Sequence, residues 1–394
     1  MPSIQSISYP LIYKIDKQST LPQAHMVAEN KIAIRTMTRA LEGMQKEAIV
    51  NDSYSNTAWR MVCDEGPWLN GTDLSSFPLG FFSAGMIASL ASEIIALAKQ
   101  RNVEIQDIKI IQDARYGMDG SAVRLTMAAS VLPVETEIVI KSSAPNATIE
   151  ELIYHALAAS PADAVMRDKI SSRFRISKNG KEIEVGKAIA SEMPECSDPV
   201  ELFDLIAPAD ASSFVEDVTE KLETADISGE RDAQPVGMAT EQKRLVEVRA
   251  VLTLREDGLK SMQVACIKPE GGSVFNFLSD EPECFGGQGR APTGLQYLSA
   301  GVSFCFMTQL GRFAGIVKQD LQSYGIVQDT VFSLPGASAH QNKAATAGPV
   351  DTHVFVTSSE DDDAIRTLVD MGEQTCYLHA CYRGIAKTKL RIIP

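Results

Sequence analysis

Two thiols, Cys305 and Cys376, stand 71 residues apart in apolar, helix-like stretches of this 394-residue chain. If two packed helices bring their Cα atoms within about 7 Å, a disulfide can join them. One thiolate could then attack an oxidant, and the other could resolve the resulting sulfenic acid. A free thiol with a pKa near 8.5 is only about a few per cent ionised at pH 7, so a reactive cysteine needs a cation or a helix N-terminus beside it. Candidate cations are Arg383, two turns beyond Cys376, and Arg255 and Arg290 in the preceding strand and loop; His379 shares the Cys376 face at i+3. The competing reading is plain packing, because cysteine is among the most often buried residues and a thiol in an apolar helix is usually inert.

Other chemistries find less footing. Cys376, His379 and Cys381 suggest a metal site, but helical spacing rotates Cys381 away and no second pair completes a tetrahedron, so no metal is expected. Gly286, Gly287 and Gly289 lack the Lys-Ser/Thr ending of a phosphate loop, and no GxSxG elbow is present, so no cofactor or Ser-His-Asp chemistry is expected either. Cys63, Cys196, Cys266 and Cys284 read as structural.

An internal register places the two thiols. Adding 216 to residue numbers in the first half carries Asp64-Glu65 onto Asp280-Glu281, Gly71 onto Gly287, Ser83-Ala84-Gly85 onto Ser299-Ala300-Gly301, and Arg167 onto Arg383. The segment from Thr136 falls on the one from Thr352 in the same register. One offset held over about a hundred residues points to a tandem duplication. In it Ser89 faces Cys305 and Ser160 faces Cys376, a hydroxyl pair opposite a thiol pair.

The elements that must position these residues follow from pattern. Pro78 opens a helix to roughly Gln100 that is apolar nearly all round, and a second buried helix surrounds Cys305. Strands are expected at Lys31–Met37, Thr57–Cys63, Val103–Gln112, Ala122–Leu132 and Glu135–Ile140. Asn146 and Thr148 are candidate caps for a helix through Ala159 with Glu150 and Glu151 in its first turn. Phe174–Val185 reads as a hairpin turning at Asn179-Gly180, and Leu245–Lys268 as one turning at Asp257-Gly258. A last helix spans about Asp361–Tyr382, capped by Thr357 to Ser359. Each copy is thus α+β, with helices on one face of a mainly antiparallel sheet. The expected domains are 1–185, with hydroxyls at both motif positions; an acidic linker over 186–242, in which Pro199–Ile206 and Ser212–Leu222 are short helices and Asp226–Ala239 is tether; and 243–394, carrying the thiol pair. Net charge of −14 argues against nucleic acid and anionic membrane surfaces as partners. Seven irregularly spaced cysteines fit a reducing cytoplasm, and the first thirty residues have no signal-peptide pattern.

Two segments resemble the OsmC/Ohr family of osmotically inducible and organic hydroperoxide resistance proteins. GLQYLSAGVSFCFMTQL resembles its first-cysteine helix; CYLHACYRG from Cys376 resembles its second motif, a cysteine followed seven residues later by Arg-Gly; and SPADAVMRD from Ser160 is similar to that motif with serine instead. The resemblance implies two OsmC-like α+β repeats forming an intertwined pseudo-dimer, buried central helices packed on antiparallel sheets. It also implies reduction of organic hydroperoxides or hydrogen peroxide, with Cys305 peroxidatic, Cys376 resolving, Arg255 and Arg383 as assisting cations, and a dithiol reductant such as a lipoyl protein. The chain departs from the family pattern at Leu295, where a Glu is usual, and at Tyr377, where a Pro is usual. A different class of reading is a non-catalytic OsmC-like binding or scaffold protein holding a small hydrophobic ligand between the repeats. Either way the fused unit stands alone or pairs with a second copy.

Overall fold

The computed structural model describes residues 2–7, 10–16, 21–24, 28–55, 57–206, 217–223, 236–386 and 388–393. The first strands are β1 (Ile12–Asp16), β2 (Lys31–Ala40), β3 (Lys46–Asp52), β4 (Thr57–Cys63), β5 (Asp107–Ser121), β6 (Ala128–Val131), β7 (Val134–Lys141), β8 (Ser172–Lys178), β9 (Lys181–Ile183) and β10 (Ile189–Ala190). The others are β11 (Thr219–Glu223), β12 (Glu241–Leu254), β13 (Lys260–Lys268), β14 (Val274–Ser279), β15 (Ser323–Ser333), β16 (Ala347–Thr357) and β17 (Thr388–Ile393). Eight helices accompany them among the described residues: α1 (Ile4–Ile7), α2 (Pro78–Gln100), α3 (Asn146–Ala159), α4 (Pro161–Arg167), α5 (Leu202–Leu205), α6 (Gly294–Val317), α7 (Asp362–Thr375) and α8 (Tyr377–Arg383). The class is α+β.

Two sheets hold these strands. The first runs β1-β4-β3-β2-β15-β16-β8-β10, with β9 on β8; the second runs β11-β14-β13-β12-β5-β7-β17, with β6 on β5. Each sheet therefore joins a meander from one half of the chain to a strand pair from the other, through β2 on β15 and β12 on β5. Both pairings are antiparallel, whereas β8 on β16 and β17 on β7 are parallel. Helix α6 packs on the first sheet, α2 packs on the second, and the two helices pack on each other. That layering explains why both are apolar on every side: each has a sheet behind it and a helix in front. Both are long and apolar enough to cross a membrane by composition, with 89% and 78% of their most apolar windows buried inside the body.

Glycine sets the helix crossing. A Cβ on Gly85 would lie 2.5 Å from Gly294 O and 2.6 Å from Leu298 N, and one on Gly301 would lie 2.7 Å from Phe82 N. The backbones touch directly, which leaves side chains such as Phe81, Phe82, Leu298 and Phe304 to fill the layers on either side, at about 2 kcal/mol for each fully buried large side chain.

The outer faces of the sheets differ. On the second sheet, β5 alternates buried and exposed, and its outer face carries ion pairs such as Arg249–Asp113 (2.8 Å) and Arg115–Glu247 (2.9 Å). On the first sheet β3 is buried throughout, because an outer layer covers it. Tyr13, Ile15 and Leu21 of the N-terminal extension and Phe203 of α5 pack there against Met37, Ile49 and Phe355. Arg39 and Arg60 lie over the Phe203 ring at 4.8 and 5.4 Å, and Arg39 also pairs with Asp204 at 2.8 Å.

Several expectations need correction. The stretch read as a solvated acidic linker includes this covering layer, and residues 219–223 are an edge strand rather than a helix. The expected tether over 226–235 and the start of the expected helix at 212–216 lie outside the described residues. The last helix divides at Cys376, whose φ of −74° and ψ of 119° are extended. Asp361 caps α7 by accepting the Ala364 amide, rather than Thr357 to Ser359, and α3 follows an uncapped Pro145 with no acidic residue in its first turn. Strand β3, packed between its neighbours, has no counterpart in the sequence reading. Both hairpins stand as expected, with Asn179 and Gly180 at φ of 50° and 76°.

Candidate functional site

Cys305 sits midway along α6, and Cys376 is the N-cap of α8, where its Sγ accepts the His379 amide at 3.5 Å. The two thiols are close enough to influence each other, and the Leu378 amide acts on the Cys305 thiol as well. Both are free thiols and both are buried. Burial pushes the Cys305 thiol well above its ordinary pKa and the Cys376 thiol adds to the shift, while the Leu378 amide opposes it.

Cys305 opens onto a cavity of about 30 Å³ whose wall includes Glu65, Arg244, Cys266, Arg312 and Tyr377. That is room for a water or a peroxide group and little more. Arg312 is buried in the wall and donates to Gly237 O, to Gln309 Oε1 at 3.1 Å and to Met127 Sδ at 3.4 Å; burial pulls its guanidinium down to about 10. Glu65 accepts from Thr308 Oγ1 at 2.5 Å and lies 3.8 Å from Lys46 Nζ; burial raises its carboxyl. Burial likewise raises Tyr377 and Cys266, each to about 12.

The hydroxyl positions show the same arrangement. Ser89 Oγ and Ser160 Oγ lie 3.0 Å apart, and Ser160 Oγ accepts the Asp163 amide at 3.3 Å as the N-cap of α4. Glu281 accepts from Ser92 Oγ at 2.6 Å, as Glu65 does from Thr308, and also pairs with Lys260 at 2.9 Å. Beside them Glu93 accepts from the Ala337 amide and the Ser338 hydroxyl, both at 2.6 Å, and burial raises its carboxyl to about 7. A carboxylate pair, not a guanidinium pair, therefore lines the serine corner.

The expected assisting cations are committed elsewhere. Arg383 donates to Glu373 O, Glu373 Oε1 and Gln374 O at 2.7 to 2.8 Å, so it closes the C-terminal end of α7. Arg255 stands at the β12–β13 turn, half exposed, paired with Asp257 at 3.1 Å, and Arg290 pairs with the same carboxylate. Position rather than charge excludes them from the wall, since that turn lies at the far end of the hairpin. His379 is wedged between Phe174 and Phe306, with neither ring nitrogen bonded; burial lowers it to about 4. Glu65, Thr308, Arg244 and Arg312 were missed as site residues. The match of Asp64-Glu65 to Asp280-Glu281 was the available signal for the first of them.

No family model matches the chain, and no curated protein matches it. Among solved structures it is similar to an OsmC-like hydroperoxide resistance protein from Jannaschia sp. CCS1, at 20% identity and a TM-score of 0.21. That overlap covers 34% of this chain and 81% of the other. Among the described residues no group of three His, Cys, Asp or Glu side chains could hold a metal ion.

Proposed function

We propose that the chain is a tandem fusion of two OsmC-type α+β copies interlocked as a pseudo-dimer, and that Cys305 and Cys376 of the second copy are a redox couple reducing hydroperoxides. The fusion is supported by element bounds that recur at the 216-residue offset: α3 and α7 each run 14 residues, and α4 and α8 each run 7. Exchange of strand pairs between the sheets supports the interlocking. The observation that carries the redox reading is the nearness of Cys376 to Cys305, which lines a cavity that also bears Glu65 and two guanidiniums.

In this scheme Glu65, which shares the cavity wall with Cys305, draws off the proton, and its raised pKa makes it a better base than an ordinary glutamate. Ionised Cys305 attacks the terminal oxygen of ROOH; the O–O bond breaks, an S–O bond forms, and the departing alkoxide takes a proton to leave as ROH. The Cys376 sulfur then displaces hydroxide from the sulfenic acid, which leaves as water, and an S–S bond forms. A small dithiol, the reductant proposed here, returns both thiols by exchange and carries away the oxidising equivalents. Arg244 and Arg312 would stabilise negative charge in the cavity. In this scheme Arg383 is a positioning residue that fixes the junction between α7 and α8.

Stopped-flow consumption of hydrogen peroxide and cumene hydroperoxide with a dithiol tests the proposal. Wild type is expected to turn over and Cys305→Ser to fall to background. Equal rates would remove the redox reading and favour a non-catalytic scaffold, for which the depth of both thiols speaks.

A further inference from the structure

A cavity larger than the one at Cys305 lies away from the thiols. A cavity of about 340 Å³ opens between the C-terminal end of α2, the outer side of α3 and the loop after β15. Its floor is apolar, with Leu97, Ala158, Ala159 and Ala337, and its rim carries Arg101, His155 and Lys343, with no carboxylate in the wall. Glu151 stands just outside, 3.5 Å from Arg101 and 3.7 Å from His155.

The loop wall is fixed in place. Glu93 holds the Ala337 and Ser338 amides, Gln100 Nε2 donates to Ala337 O at 2.7 Å, and the Gly336 and Ala345 amides donate to Ala159 O and Ala158 O, both at 2.9 Å. At the positions 216 residues away the same corner is filled. Leu97, Arg101, His155, Ala158 and Lys343 are matched there by Phe313, Val317, Met371, Gln374 and Met127. Gln374 Nε2 reaches across to Met127 O at 2.8 Å, and Phe313, Met371 and Met127 are buried. One corner is thus packed and apolar, and the other is hollow and cationic at the matching positions, in a chain of net charge −14. Packing does not call for that change.

We infer that the cavity bounded by Arg101, His155 and Lys343 binds a small organic anion, its carboxylate or phosphate at the cationic rim and a short apolar body on the alanine floor. The volume lies within the ordinary range of small-molecule pockets. Calorimetric titration of the full chain with phenyl phosphate, benzoate and uncharged benzyl alcohol tests this. Saturable binding of at least one anion is expected, weakening with added salt. Arg101→Gln with Lys343→Gln should cost about tenfold or more in affinity. Ala158→Gln, which puts the counterpart's residue into the floor, should abolish binding while leaving every charge in place. Cys305→Ser should bind like wild type, which separates this site from the redox reading. Absence of binding by both anions, equal binding of the alcohol, or full affinity in the double variant, whose two side chains lie on the surface, would overturn the assignment.

Discussion

The thiol corner and the hydroxyl corner share one geometry and differ in chemistry. In each, a side chain midway along a central helix meets the N-cap of a short helix, and a glutamate from the opposite half accepts from a hydroxyl one turn further on. The serine pair shows that the fold itself demands this contact. Closeness of Cys305 and Cys376 is consequently not by itself a sign of catalysis. Each corner has a glutamate beside a lysine, Glu65 by Lys46 and Glu281 by Lys260; what sets the thiol corner apart is a cavity that also bears Arg244 and Arg312, where the serine corner has a second carboxyl, Glu93. Cations favour a thiolate; carboxylates oppose one.

The largest expected effect breaks the comparison from the thiol side. Cys305→Ser should lose roughly a thousandfold or more in peroxide turnover, while Cys376→Ser should still react once and stop at a sulfenic acid that a dimedone probe captures. The converse variant, Ser89→Cys with Ser160→Cys, should form a second disulfide under an oxidant yet consume peroxide far more slowly than the native pair. Equal rates at both corners would mean the surroundings do not matter.

The helix crossing that both corners share is next. Gly85→Val drives carbon atoms into the Gly294 and Leu298 backbone and should lower unfolding stability by about 3 kcal/mol or more, read from urea melts. A mild effect would mean the helices can part, and with them the thiol contact.

Two buried titrations differ in sign. Glu93 in the folded chain holds its proton up to about 7, against 4.5 ordinarily, so its contribution is full below 4.5 and is lost as pH rises through about 7. His379 is lowered to about 4 from 6.5, so its contribution is full above 6.5 and is lost as pH falls through about 4. Glu93→Gln should flatten the alkaline side of the stability profile and His379→Leu the acid side, each followed by urea midpoints across pH. The smallest effect is at neutral pH, where His379→Leu should stabilise by about 1 kcal/mol, because it removes two unbonded ring nitrogens from an aromatic slot. A loss of stability there would indicate an unseen partner for the ring.

Much of this was legible in the chain. The central helices announce themselves by being apolar on every side, the hairpins by Asn-Gly and Asp-Gly, and the paired corners by a common offset. The covering layer on the first sheet was not legible, because Leu202 and Phe203 sit among acidic residues whose average suggests solvent. The break before Tyr377 has no proline or glycine to mark it; its signal is a cysteine serving as an N-cap, the role Ser160 performs more conventionally. Glu65, Arg244 and Arg312 come from separate strands, loops and helices. Only the exchange of strands between the sheets brings them to one wall, and no local pattern encodes that.

Peptide mapping after one equivalent of cumene hydroperoxide tests the central claim most directly. The account predicts a disulfide joining Cys305 to Cys376, formed as the peroxide disappears. Recovery of both as free thiols, or of either paired with Cys63, Cys266 or Cys381, would contradict it.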